Sequence, residues 1–311
     1  MPKDPAKQWR LLAHDHLFDS KKSLLINEGT LGATTGDSKA NAPSDISTNI
    51  HAFTGAYNMA VDQAILAEVE AGNSPPTFRL YGWSPACISL GHSQNAEREL
   101  DMERVRHFGY DVVIRPTGGR AVLHIQELTY SLIAAHDSET WCATQDLSYR
   151  TISQAVAQCL AEAGFGVTLD RGYPVEKPQG LRAMTPCFSS TARSEVVWGE
   201  RKVVGSAQRR LRHAFLQHGS ILVSRGHRNM VECLKLDEER RLQYLEILDR
   251  NAISLEEAFG RPVTWTELAQ GFSERFATAV GITLTPDTLT KNEIDTVQRL
   301  VWSNHRGATD A

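Results

Sequence analysis

The sequence predicts an α+β fold, on three observations. Apolar runs of strand length, such as residues 78–81, 86–90 and 128–134, alternate with stretches whose apolar residues recur at helical spacing. Turns rich in Gly and Pro separate them, as at Gly82-Trp83-Ser84-Pro85. The C-terminal third is mostly of helical type, and the chain carries no internal repeat and no heptad array. Strands and helices interleaved in this way set a class and leave the strand order open.

Trp9 to Leu12 reads as a short opening strand. From about His14 to Ile50 the residues are small and polar with little to bury, which predicts a flexible insertion. Val61, Ile65, Leu66 and Val69 then share one helical face, and Gly72 follows its end. A charged helix is expected over residues 95–108, followed by a strand in which Tyr110, Val112 and Ile114 alternate. Tyr149, Ile152, Val156, Leu160 and Ala163 mark the clearest helix, stopped at Gly164. Residues 195–198 and 202–204 can pair as a hairpin around Gly199-Glu200, a Gly-first two-residue turn. Ser254-x-x-Glu257, Thr264-x-x-Glu267 and Thr290-x-x-Glu293 each have the form of a capping box opening a helix.

Bulk properties exclude several classes. With 311 residues, 41% hydrophobic and 23% charged, most of the chain can fold around a sizeable core. A net charge of −4 argues against a protein that coats nucleic acid. The five cysteines (Cys87, Cys142, Cys159, Cys187 and Cys233) are scattered, odd in number and without a Cys-x-x-Cys pair. That pattern fits free thiols in a reducing compartment and neither a disulfide framework nor a zinc site. The N-terminus shows no apolar core of signal-peptide type, and no stretch approaches the ~20 apolar residues of a membrane span. A cytoplasmic location is expected, with no membrane partner.

The most informative stretch is 115–130. Arg115 ends an apolar run, Pro116 forbids ordinary central-strand pairing, and Gly118-Gly119 lets the backbone turn or approach a ligand closely. Arg120 follows, and a second apolar run ends in His124. Such a turn suits the frame of a pocket, although a glycine hairpin with an exposed charge would look alike. Cys187 follows Pro186 in a small-residue loop, whereas Cys159 sits on an amphipathic helix and Cys87 in an apolar strand, where both look structural. A free thiol is only a few per cent thiolate at neutral pH, so a nucleophilic Cys187 needs a cation beside it. Lys202, on the hairpin after that loop, is the candidate; the plainer reading is a solvated strand lysine. For His124 and His218 the plainer reading is a hydrogen-bonded structural histidine.

Taken in order, several segments resemble the biotin/lipoate protein ligase superfamily and, within it, the cysteine-dependent octanoyltransferases of the LipM type. They are Asn58-Met-Ala-Val-Asp62, Ser89-Leu-Gly-His-Ser-Gln94, Arg115-Pro-Thr-Gly-Gly-Arg-Ala-Val-Leu-His124, Glu127-Leu-Thr-Tyr-Ser131, Pro186-Cys-Phe188, Arg201-Lys-Val-Val-Gly-Ser-Ala-Gln208 and Leu216-Gln-His-Gly-Ser-Ile221. Together they span from about Phe53 to Gly281. The resemblance implies a mixed, largely antiparallel sheet flanked by helices, with a smaller sheet. It also implies a catalytic domain over 53–290, after a first strand and insertion at 1–52 and before a C-terminal helix and tail at 291–311. It further implies transfer of octanoyl from acyl carrier protein to a lysine of a lipoyl-carrier protein, such as glycine cleavage H protein or a dehydrogenase E2 lipoyl domain. By this resemblance Cys187 holds the acyl group as a thioester and Lys202 favours the thiolate. Arg115, Gly118, Gly119, Arg120 and His124 line the acyl pocket, and Gly205, Ser206 and Ala207 join them in binding substrate. No cofactor and no metal is expected, and the chain is read as a monomer. Arg201, Arg209, Arg210 and Arg212 offer a docking patch for an acidic carrier protein, or simply a solvated face.

Two features depart from the family's pattern. Pro116 stands where relatives often carry a second arginine, and the polar insertion before His51 is atypical. The rivals are an ATP-dependent lipoate–protein ligase, an octanoyl amidotransferase between carrier proteins, and a non-catalytic carrier-binding paralogue. The ligase needs no cysteine and usually has a third glycine where this chain has Arg120, so Cys187 and Arg120 favour the transferase. Intact Cys187 and Lys202 weigh against the paralogue; the amidotransferase is poorly separated by sequence.

Overall fold

The computed structural model describes residues 8–13, 52–136, 144–170 and 194–309. The expected insertion at 14–50 and the loop carrying Cys187 lie outside the described residues. Along the chain the strands are β1 (Gln8–Ala13), β2 (Ala52–Phe53), β3 (Thr77–Trp83), β4 (Cys87–Leu90), β5 (Asp111–Ile114) and β6 (Val122–His124). They continue as β7 (Glu127–Ala135), β8 (Thr168–Leu169), β9 (Val196–Trp198), β10 (Arg201–Arg210), β11 (Ala214–Leu222) and β12 (Thr283–Pro286). The helices are α1 (Gly55–Glu70), α2 (Ala96–Glu99), α3 (Met102–Phe108), α4 (Gln145–Glu162) and α5 (Glu238–Asn251), then α6 (Leu255–Phe259), α7 (Trp265–Ala269), α8 (Phe272–Val280) and α9 (Lys291–Thr309). A 3₁₀ segment spans Arg225–Cys233.

A nine-stranded sheet runs in the order β12-β1-β3-β7-β11-β10-β9-β8, with β2 beside β3. β1 pairs in parallel with β12 and β3, and from β3 to β8 the pairs are antiparallel. A three-stranded sheet, β5-β4-β6, stands apart from it. This is the mixed, largely antiparallel α+β architecture with a smaller sheet that the resemblance implied.

Helices cover both faces of the large sheet, which is why its central strands read as nearly continuous apolar runs. On one face Val61, Ile65, Leu66 and Val69 of α1 meet Ile133, Leu216 and Val297. On the other, Ile152, Val156 and Leu160 of α4 and Phe272 and Phe276 of α8 meet Phe78, Tyr130, Leu132 and Phe215. Phe78 stacks on Phe276 with ring centroids 4.4 Å apart. Alternation along β7 sends Leu128, Tyr130 and Leu132 into this second core. It leaves Ser131 on the α1 side, where its hydroxyl donates to Asp62 of that helix at 2.9 Å.

Two elements differ from expectation. The charged helix over 95–108 is two helices, α2 and α3. Leu100 is extended, buried and bridged to Leu234, and the Asp101 side chain accepts from the N–H groups of Glu103 and Arg104 as an N-cap. In β5 the alternation of Tyr110, Val112 and Ile114 does not track burial. Tyr110 and Val112 pack with the small sheet's core, Val113 packs against Met59, Tyr81, Trp83 and Cys87, and Ile114 is 54% exposed. β5 is an edge strand covered on both faces and ends where the next loop begins, so a period of two does not describe it.

The hairpin at Gly199 forms as expected, with Gly199 at φ +61 and Arg201 opposite Trp198. Of the expected capping boxes, Ser254 and Glu257 bond reciprocally. Thr264 caps α7 while Glu267 turns to Arg261. Glu293 accepts from the Thr290 N–H and also takes a buried, two-pronged contact from Arg10 at 2.6 and 2.8 Å, tying β1 to α9. Among the described residues no helix is long and apolar enough to cross a membrane.

Candidate active site

The site lies where the small sheet's loops meet β7, β10 and β11 of the large sheet. The loop at 115–120 leaves β5 with Arg115, which is 3% exposed and holds its own loop together. The guanidinium donates to the carbonyls of Ser89 at 2.9 Å and of Gly118 and Arg120 at 2.8 Å each. Its Nε donates to the Thr117 hydroxyl at 3.2 Å. Gly119 has φ +98, and a Cβ on Gly91 would lie 2.0 Å from the Gly119 carbonyl oxygen. The glycines are therefore required by two backbones passing at close quarters, as well as by the turn.

His124 closes β6, 6% exposed, with its ring 4.0 Å from and nearly parallel to the indole of Trp83. Its Nε2 hydrogen-bonds with Ser89 Oγ at 2.7 Å and its Nδ1 with Glu127 Oε1 at 2.8 Å. The Thr129 hydroxyl donates to the same Glu127 oxygen at 2.6 Å and accepts from Trp83 Nε1 at 2.7 Å. His218 on β11 joins Thr117 Oγ1 at 2.7 Å and Asp62 Oδ2 at 3.4 Å. Burial lowers the His218 pKa below its ordinary value, more than Asp62 raises it, so the ring is neutral at pH 7. Burial also pushes the Asp62 carboxyl up, but Arg79, His218 and Ser131 outweigh it and hold it below the usual range. Arg79 and Asp62 form an ion pair fully shielded from solvent, and Tyr81 donates to the second Asp62 oxygen at 3.0 Å.

These groups surround a small cavity of about 30 Å³ that opens to solvent. Its wall includes Trp83, Arg115, His124, His218 and, from β10, Gly205, Ser206 and Ala207. That volume holds about two waters. Gly219 is small for cause: a Cβ there would meet Tyr130 Cε1 and Ser206 Oγ at 2.6 Å each.

Lys202 differs from the solvated strand lysine that was the plainer expectation. It is 2% exposed, and its ammonium donates to Glu195 Oε1 at 2.5 Å. A β-bulge between Lys202 and Val204 interrupts the β9–β10 register at this point. The same strand reaches the cavity wall at Gly205.

The structure thus brings Arg115, His124, Gly205, Ser206 and Ala207 to one cavity. Gly118, Gly119 and Arg120 form the loop behind it, and Lys202 lies just upstream on β10. Cys187 lies outside the described residues. Sequence reasoning passed over Asp62, Ser89, Thr117, Glu127 and Glu195 as individual site residues. One signal was available: Asn58 and Asp62, four residues apart, are the polar residues among the otherwise apolar buried positions of α1. Asn58 donates to the carbonyls of Phe53 and Gly82. Cys87 and Cys159 are buried, and burial pushes both thiols up, Cys159 to about 12. Of the arginines expected to form a patch, Arg209 donates to the Pro116 carbonyl at 3.1 Å, Arg201 lies over Trp198 and Arg210 over Phe215, and Arg212 is exposed.

The family described as Lipoyl protein ligase A/B catalytic domain matches residues 54–277. Octanoyltransferase LipM of Kyrpidia tusciae is 38% identical over 251 residues, covering 80% of this chain and 91% of that protein. Octanoyltransferase LipM of Symbiobacterium thermophilum is 39% identical over 255 residues, with coverage of 81% and 92%. That of Bacillus subtilis is 35% identical over 253 residues, with coverage of 80% and 91%. A bi-partite lipoate protein ligase from Thermoplasma acidophilum superposes with a TM-score of 0.63 at 23% identity, over 79% of this chain and 87% of that one. Lipoate-protein ligase A bound with ATP gives 0.64 at 22% identity, over 79% and 89%. At such identities the two structures show a shared fold. The chain belongs to the lipoyl protein ligase A/B catalytic domain family, among its LipM-type octanoyltransferases, and is an enzyme of the acyltransferase class.

Proposed function

We propose that this enzyme moves an octanoyl group from the phosphopantetheine thioester of acyl carrier protein to a lysine of a lipoyl-carrier protein, glycine cleavage H protein or an E2 lipoyl domain, with Cys187 carrying the acyl group between the two. The Cys187 thiolate attacks the donor thioester carbonyl and the carrier thiolate leaves. The free lysine amine of the acceptor then attacks the Cys187 thioester, the Cys187 thiolate leaves, and the amine gives up a proton as the amide forms. The first exchange is nearly balanced in free energy and the amide drives the second.

The observation that carries this reading is the buried ammonium of Lys202, paired with Glu195 on the strand that next forms the cavity wall at Gly205. A fixed cation there favours a thiolate and a polarised acyl carbonyl. The relatives named Octanoyltransferase LipM, similar over about four-fifths of the chain, support the acyl group chosen. Arg115 and His124 frame the acyl site, and an eight-carbon chain gains about 0.8 kcal/mol per buried methylene. The exposed Arg212 end of the β10–β11 hairpin offers positive charge to an acidic donor protein. The cytoplasm, where reduced thiols persist, suits the chemistry.

The test is intact-protein mass spectrometry after incubation with octanoyl acyl carrier protein in the absence of ATP. One octanoyl adduct, labile to hydroxylamine and mapped to Cys187, is expected. No adduct, together with a strict requirement for ATP and magnesium, would move the enzyme to the ligase branch.

A further inference from the structure

Every N–H of the Arg115 side chain is engaged by the protein itself. A guanidinium carries five such donors. One meets Thr117 Oγ1 at 3.2 Å, and two meet the carbonyl and the hydroxyl of Ser89 at 2.9 and 3.2 Å. The last two meet the carbonyls of Gly118 and Arg120 at 2.8 Å each. Arg115 therefore bounds the cavity as a fixed surface.

The bond to Thr117 continues across the molecule. Asp62 is an ionised carboxylate paired with Arg79, so it can only accept. His218 Nδ1, 3.4 Å from Asp62 Oδ2, must then carry the proton of the neutral ring. That leaves Nε2 as an acceptor, and Thr117 Oγ1 donates to it at 2.7 Å. Thr117 in turn accepts from Arg115 Nε, which can only donate. Donation runs one way, from Arg115 to Thr117 to His218 to Asp62. A free imidazole side chain favours the opposite tautomer, with its proton on Nε2, so the chain leaves a signature on the ring.

This chain joins two walls of one cavity. Arg115 leaves β5 of the small sheet, and His218 stands on β11 of the large one. Both line the cavity, and Thr117, fully buried, does not. Its hydroxyl touches both side chains and so fixes how far apart they stand. Thr117 is itself pinned: its carbonyl accepts from the His92 N–H at 3.0 Å, beside the close passage of Gly91 and Gly119.

We infer that Thr117 is a specificity-determining residue: its hydroxyl, shared by Arg115 and His218, sets the width of the acyl cavity and so selects an unbranched chain. The inference rests on the proposed transfer for the identity of that chain.

The first measurement is heteronuclear NMR of the full chain, isotope-labelled at the histidine ring nitrogens, with His218→Gln to assign the signal. Wild-type His218 should show the Nδ1–H tautomer with Nε2 accepting a hydrogen bond. Thr117→Val, similar in volume but without the hydroxyl, should move the Nε2 signal to that of an unbonded acceptor, and Thr117→Ser should restore it. The second measurement offers octanoyl acyl carrier protein in competition with a carrier whose octanoyl chain bears a mid-chain methyl branch. Preference for the straight chain should fall about tenfold in Thr117→Val, which leaves two buried groups unpaired, and persist in Thr117→Ser. A general loss of fold lowers both rates together and leaves the preference alone; thermal unfolding checks it, and Thr117→Ala replaces the valine variant if that one unfolds. An Nε2–H tautomer in the wild type overturns the inference. So does an unchanged preference in the folded variant while wild-type protein transfers octanoyl, and the proposed function then stands. If wild-type protein transfers no octanoyl group, the proposed function fails and this inference falls with it.

Discussion

Lys202 and Glu195 form an ion pair at 2.5 Å with each side chain only 3% exposed. The pair spans the β9–β10 hairpin beside a bulge, where a solvated lysine would have served the strand equally well. Taking two charges out of water is costly, and a buried pair is seldom retained for stability alone. Its removal in halves and as a whole should therefore differ. Lys202→Met should destabilise the protein by about 3–5 kcal/mol, because it strands the Glu195 carboxylate in the interior. Lys202→Met with Glu195→Leu should recover most of that loss while octanoyl transfer stays as slow as in the single variant. Urea unfolding of the variants checks both; a double variant no more stable than the single one would mean the pair itself holds the hairpin.

If Lys202 favours the Cys187 thiolate, Lys202→Ala raises the apparent pKa of Cys187 and slows its acylation. Iodoacetamide alkylation of Cys187 against pH reads the shift directly. An unchanged titration would restrict Lys202 to the acyl carbonyl. Cys187→Ser should remain folded and form no hydroxylamine-labile adduct, and octanoyl transfer at the wild-type rate by this variant would end the thioester mechanism.

The buried histidines set a pH dependence of stability. His218 and His227 both have folded pKa values below the ordinary 6.5, chiefly because burial disfavours the imidazolium. Below about 6.5 the unfolded chain therefore binds protons that the folded one refuses, and stability falls as pH drops. Asp62 and Glu293 have lowered folded values, so their contribution is complete above the unfolded carboxyl range near 4 and disappears as pH falls through their folded values. Acid denaturation should have two stages, a loss of stability from pH 7 to 5 and a steeper one below 4. His218→Gln should flatten the first stage in urea midpoints measured against pH; an identical slope would assign that stage to other groups.

How far the sequence could be read depended on the kind of signal. Period and punctuation located the α1 and α4 helices and the Gly199 hairpin, because each buries one apolar face and ends at a glycine with positive φ. They missed the break at Leu100-Asp101, where a buried leucine and a capping aspartate outweigh the charge pattern of the segment. The burial of Lys202 was hidden because its partner, Glu195, stands seven residues away across a turn and looks like an ordinary polar residue. The links from Asp62 to His218 and from Thr117 to His218 join residues 156 and 101 positions apart, a separation over which local spacing carries no information.

Gly219 offers a test of the cavity floor. An added Cβ would meet Tyr130 Cε1 and Ser206 Oγ at 2.6 Å, so the cavity wall they form must rearrange. Gly219→Ala should cost about 1–3 kcal/mol of stability and shorten the acyl chain accepted, with hexanoyl favoured over octanoyl relative to wild type. Competition between the two acyl carriers, read by mass spectrometry, measures the ratio. An unaltered ratio would place the acyl chain away from Gly219.

The kinetic form follows from the chemistry of a thioester donor. Such a donor already carries the activation that a ligase obtains from ATP, so acylation of Cys187 can precede arrival of the acceptor. In the 115–120 segment the Gly118-Gly119 turn leads into β6, not into a helix N-terminus that would cradle phosphate. Where donor and acceptor are both proteins, as proposed, a covalent intermediate would let each dock in turn on one small site. Double-reciprocal plots of rate against octanoyl carrier, at several acceptor concentrations, should therefore be parallel, with full activity in the absence of ATP. Intersecting lines would show that both carriers bind before transfer, and the Cys187 thioester would then lie off the productive path.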